Sequence, residues 1–166
     1  MEILKFVLKD NRLRYEKNGN DMGLDYSNGV LTTYLFEGDM KKWYKELQQI
    51  ADKNPDGFTV ELTTLSTNIP TGYVVGLTNQ TLDYWETRTH VENGIRIAER
   101  AIANYLKFGG EGKPVISIGG WRNPEDGKYY VDIGIIVKSK GVAIAIAKWH
   151  KQKAIFNLEN FETIEL

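Results

Sequence analysis

Five residues of this chain have types and spacing that could act on something: Trp121, Arg122, Lys128, Tyr130 and Asp132. They cluster in IGGWRNPEDGKYYVD. Gly119-Gly120 would let a ligand approach the backbone, and the Trp121 indole offers a plate for stacking. Arg122 and Lys128 could hold a phosphate. Asp132 beside Tyr130 would serve as a general base if buried. A plainer alternative accompanies each: a glycine bulge with a core tryptophan, and a hydrogen-bonded structural aspartate. We therefore take these five as candidates for ligand or partner binding and name no catalytic residue and no metal ligand.

Other chemistry fails on spacing. FGGEGKP (108–114) lacks the P-loop pattern: Lys107 stands at the first glycine position and Pro114 replaces Ser/Thr. It also follows a helix, so it reads as a connection. The two histidines are His90 and His150. Asp83, Glu86 and His90 could share one helical face toward a metal, but so loose a set reads better as a solvated helix entry. No serine sits in G-x-S-x-G. Lys138, Lys140, Lys148, Lys151 and Lys153 with Trp149 suggest a nucleic-acid patch. Glu159, Glu162 and Glu165 follow at once, and a charged solvated face is the preferred reading. The RNA-recognition strand pattern is absent from GKYYVDIGI.

The elements that must position the five residues run from Pro114 to Leu158. Tyr129, Val131, Ile133, Ile135 and Val137 alternate with Lys128, Tyr130, Asp132 and Gly134, as on a half-buried strand. In the preceding strand Ile116 and Ile118 point one way, while Ser117, Gly119 and Trp121 point the other. Asp126-Gly127 supplies the positive φ of a tight hairpin. Ser139 as N-cap, the alanines of VAIAIA and the cations after it favour a helix there. Residues 153–158 and 161–166 read as strands.

Upstream, 58–62 and 72–77 read as strands. A helix follows, with Thr89-x-x-Glu92 as a capping box, or with an earlier start at Asp83. Its stripe is Val91, Ile95, Ala98, Ile102 and Tyr105, supported by a Glu92–Arg96 pair. From Gly72 the order is β-α-β-β-α-β, the split arrangement of ferredoxin-like folds. The expected class is thus α+β, an antiparallel sheet with helices mainly on one face. Residues 57–166 would form this domain.

Residues 1–56 would form a ββ(β)α extension: strands at 2–8, 13–16 and 29–36, then a helix after Asp39 carrying Met40, Trp43, Tyr44 and Leu47. Asn54 to Gly57 marks the boundary. A bare Trp and Tyr on the second sheet face would make an apolar patch. The expected cover is the N-terminal region through Trp43 and Tyr44, which would make Trp121 a core residue. A second copy or a partner would be the other covers.

Composition bounds the rest. The chain has 166 residues, 42% apolar and 26% charged, enough to bury a core. A net charge of −1 gives no field for nucleic acid or an anionic membrane. Without cysteine there is no disulfide or thiolate chemistry, which fits a cytoplasmic setting. No apolar run approaches the ~20 residues of a membrane span.

The pattern GFTVELTTLSTNIPTGYVVGL (57–77), IGGW, GKYYVDIGIIV, A-x-x-x-A and QKAIFNL (152–158) resembles a family of small uncharacterised proteins of bacteriophages and mobile elements of gut bacteria. The resemblance covers residues 57–166. It implies the helix at 142–152 and a phage or mobile-element context, and carries over no catalytic residue. Asn157 and Lys153 stand where acidic or apolar residues are frequent in that family. The expected function is a non-enzymatic binding protein, free of cofactor, that modulates a host factor in the bacterial cytoplasm, such as a defence component in the manner of anti-CRISPR proteins. The alternative is a protein that binds or sequesters a nucleotide or other small ligand.

Overall fold

A computed structural model describes residues 4–9, 12–17, 20–21, 40–111 and 114–166. They form an α+β protein with a seven-stranded antiparallel sheet and, among the described residues, three α-helices. The helices are α1 (Met40–Lys53), α2 (Arg88–Lys107) and α3 (Lys140–Trp149). The large sheet contains β4 (Phe58–Glu61), β5 (Tyr73–Gly76), β6 (Gln80–Thr81), β7 (Val115–Arg122), β8 (Tyr129–Val137), β9 (Ala154–Asn157) and β10 (Glu162–Glu165). Its order is β10-β9-β5-β8-β7-β4, with β6 pairing β8. A small sheet joins β1 (Leu4–Lys9), β2 (Arg12–Lys17) and β3 (Asn20–Asp21) in that order. The expected strand at 29–36 and the Asp39 cap lie outside the described residues.

The β7–β8 hairpin is the spine of the sheet, and its turn chemistry is explicit. Asn123 Oδ1 accepts from Glu125 N, Asp126 Oδ1 accepts from Lys128 N, and Gly127 takes φ +70°. The ladder is one-to-one from Val115↔Ile136 to Arg122↔Tyr129. The glycine pair at 119–120 thus lies in regular strand, with no bulge. β8 is central, so its odd residues, Tyr129 to Val137, are all buried.

Those odd residues face the helices. Gly94 of α2 meets Ile133, and Ala98, Ile102, Ala143, Ile146, Ile155 and Val75 join the same core. α1 contributes Trp43, Leu47 and Ala51 to that core, and Trp43 Nε1 donates to Leu62 O at 2.8 Å. Its Trp43 and Tyr44 therefore serve the helix side of the sheet and do not cover Trp121. Strand β2 also lies along α2.

Helix starts differ in detail from expectation. VAIAIA is helical, with Ser139 Oγ accepting from Val142 N at 3.3 Å. α2 is capped by Thr87, whose Oγ accepts from His90 N at 3.3 Å. Thr87 is the last extended residue, at φ −98° and ψ 141°, so the expected box at Thr89 falls inside the helix. Glu92 accordingly reaches back to Arg88 at 3.1 Å, not forward to Arg96. Residues Leu82–Glu86 form a separate 3₁₀ turn that plants Trp85 in the core, 1% exposed, with Nε1 donating to Val131 O at 3.0 Å.

Candidate functional site

Register settles which candidates share a surface. Trp121 pairs Tyr130 across the ladder and Gly119 pairs Asp132, so Trp121, Tyr130 and Asp132 lie on one face. It is the face opposite α2, because Ile133 points to the helix. Trp121 is 44% exposed, and its ring lies 6.5 Å from that of Tyr130. The expectation of a core tryptophan is therefore corrected. The core-side residue at this end of β7 is Gly120, where a Cβ would come within 2.9 Å of both the Tyr129 and Phe58 rings. Those rings stack at 6.1 Å and occupy the space.

Tyr130 is held by the turn: its hydroxyl donates to Asp126 Oδ2 at 2.6 Å. That bond holds the Asp126 carboxyl below its ordinary range and raises the phenol. Asp132 differs. It is partly buried, its Oδ1 is sealed from solvent, and no hydrogen bond reaches that oxygen. Burial alone pushes its carboxyl up to about 7. Glycines flank it: Gly119 stands across on β7, and a Cβ on Gly76 would be 3.8 Å from Oδ2.

Arg122 and Lys128 are placed elsewhere. The Arg122 guanidinium lies 5.6 Å from the centre of the Tyr129 ring and donates to Gly127 O at 3.0 Å. Lys128 lines a groove of about 390 Å³ with Tyr44, Gln48, Thr81, Leu82, Asp83 and Tyr129. The expected phosphate clamp beside Trp121 is thus not assembled: Arg122 lies against Tyr129, and Lys128 lines the groove. The groove lies where β6 meets the start of β8 and was missed in the sequence, because β6 and the 3₁₀ turn that form its wall carry no periodic signal.

The same face continues to the far strands. Val74 pairs both Ile136 and Phe156, which puts Phe156 on the Asp132 face. Phe161, 75% exposed at φ +58°, brings its ring to 6.5 Å from Phe156. Between the two aromatic pairs, Ser117 and Ile136 are buried. Phe161 was also missed; it sits in a turn where sequence alternation stops.

The histidines do not join Asp132. His90 Nδ1 meets Tyr84 O at 2.6 Å, and its ring stacks on Tyr84 at 3.8 Å. Asp83 and Glu86 sit on the 3₁₀ turn, not on one helix with His90, and no metal-holding group of His, Asp or Glu occurs among the described residues. His150 follows α3, its Nε2 buried without a partner, and burial with nearby Arg100 lowers its basicity. Lys138, Lys140, Lys148, Lys151 and Lys153 are all exposed around α3. In the connection after α2, Gly109 takes φ +83° and Tyr105 OH donates to Glu111 O. Among the described residues no helix is long and apolar enough to cross a membrane.

No family model, no curated protein and no solved structure matches this chain.

Proposed function

We propose that the chain is a non-enzymatic binding protein that takes a partner protein on the sheet face opposite its helices. The observation that carries this is Trp121, an indole 44% exposed and ordered against Tyr130 on a regular strand. Tryptophan and tyrosine dominate binding energy at protein interfaces when they anchor in a partner's pocket. We take the partner to be a host factor, such as a defence component, in keeping with the phage and mobile-element resemblance of residues 57–166. We also propose a ferredoxin-like core; the order β9-β5-β8-β7, with α2 and α3 as the crossovers, supports it.

The test is capture from a host lysate on immobilised protein, wild type against Trp121→Ala. Capture of a protein by wild type and its loss in the variant, at unchanged melting temperature, is expected. Capture that Trp121→Ala leaves intact, or none above background, overturns the reading.

A second reading has one observation behind it: the groove between Tyr44, Asp83 and Lys128 is large enough for a small ligand. Denaturing the gently purified protein and weighing what is released tests it. A clean spectrum, with no thermal shift across a nucleotide panel, removes it.

A further inference from the structure

We propose that Asp132 is the seat for a guanidinium, an arginine side chain of the partner protein laid flat beside Trp121 and Tyr130. This rests on the sheet-face reading and adds the kind of group that face takes. The carboxyl stands in a trough without side chains at Gly119 and Gly76. Its Oδ1 is buried and has no donor. A carboxylate taken from water without a donor or counter-charge is destabilising, and such groups in folded proteins are met by a partner, water or ion. An incoming group reaches it at Oδ2, on the Gly76 side, where a cation offsets the desolvation of the whole carboxylate.

The surroundings select the cation. Within the strands, from Thr59 and Glu61 on β4 to Phe156 on β9, this face carries no Lys or Arg; Lys128 stands just before β8, in the turn, and lines the groove with Asp83. Glu61 and Asp132 are its acids, and Asp126 bonds the Tyr130 hydroxyl beside them. The face therefore repels a phosphate and attracts a cation. Arginine fits better than lysine. Its planar head can lie against an aromatic ring while its edge donates to a carboxylate, which a compact ammonium cannot do.

The test uses the whole chain with carboxyl-labelled aspartate, followed by NMR. The probes are acetyl-Gly-Arg-Gly-amide, its lysine counterpart and GMP. The arginine peptide is expected to move the Asp132 resonance and to lower its titration midpoint by about one unit or more. Trp121→Ala should weaken that peptide roughly threefold. Asp132→Asn, which keeps the shape, should weaken it about tenfold. No shift with the arginine peptide, a stronger response to GMP or the lysine peptide, or undiminished binding by Asp132→Asn overturns the proposal. Lysate capture separates the two readings. Capture lost in Trp121→Ala but kept in Asp132→Asn leaves the sheet-face reading standing and removes the arginine seat; capture kept in both removes both.

Discussion

Gly94 of α2 stands against Ile133 of β8 so closely that a Cβ there would come within 2.4 Å of Ile133 Cδ1 and 3.0 Å of Trp85 Cζ3. Glycine inside a helix costs about 1 kcal/mol relative to alanine. Here that cost lets helix and sheet touch. Gly94→Ala should therefore destabilise the protein, since overpacking of about 1–3 kcal/mol outweighs the propensity gain. Adding Ile133→Val should recover part of the loss. Urea denaturation checks this; a higher midpoint for Gly94→Ala would show that the contact relaxes freely.

Two tryptophans should respond in opposite ways. Trp85 is 1% exposed and bonded to Val131 O, so Trp85→Ala should cost about 3–5 kcal/mol. Trp121, on the open face, should change stability by no more than about 0.5 kcal/mol on truncation to alanine. Thermal melts of both variants decide. A large loss for Trp121→Ala would mean that the tryptophan is packed after all.

Stability should fall as pH rises through neutrality. Burial raises Asp132 to about 7 and Glu99 to about 8, the latter opposed in part by Arg96. In the unfolded chain both ionise in the ordinary carboxylate range. Between that range and the raised values the folded state holds protons that the unfolded state has lost, so each step up in pH favours unfolding. The loss should run up to about pH 8 and show plainly above about pH 7, where the unfolded histidine has largely shed its proton, and Asp132→Asn with Glu99→Gln should flatten the curve. A wild-type profile already flat there would show that both groups ionise without penalty.

The two capping hydroxyls offer a smaller test. Ser139→Ala and Thr87→Ala should each cost about 1 kcal/mol, as N-caps do. Equal stability of Thr89→Ala and wild type would locate the true start of α2, read by the same denaturation. A loss at Thr89 with none at Thr87 would move the cap.

Much of the fold was legible where periodicity and turn chemistry agreed. Tyr129 to Val137 alternate strictly and Asp126-Gly127 closes the hairpin, so the shared face of Trp121, Tyr130 and Asp132 followed from parity alone. Which side of that face would be covered was not legible, because parity fixes directions and says nothing of which distant element arrives. The N-terminal helix was expected on Trp121; its own stripe, Trp43, Leu47 and Ala51, matched the helix side instead. Arg122 was grouped with Trp121 by nearness in sequence, although strand alternation sends adjacent side chains apart, and Lys128 precedes the first strand residue, Tyr129, where alternation no longer sets direction. The 3₁₀ turn at 82–86 entered expectation only as an alternative earlier start of α2 at Asp83, since five residues are too few for a period to show.

The position of β9 bears on how the chain comes to be folded during synthesis. β9 lies beside β5, Tyr73↔Asn157 and Val74↔Phe156, although some eighty residues of chain separate them. Long-range pairings of this kind form late. Until residues 154–157 have left the ribosome, β5 has β8 on one side and open backbone on the other. Tyr73 and Val74 then present amide and carbonyl groups to any extended segment nearby, as an exposed edge does. A nascent chain halted between β8 and β9 should accordingly be the species that a holding chaperone binds and that aggregates when none is present.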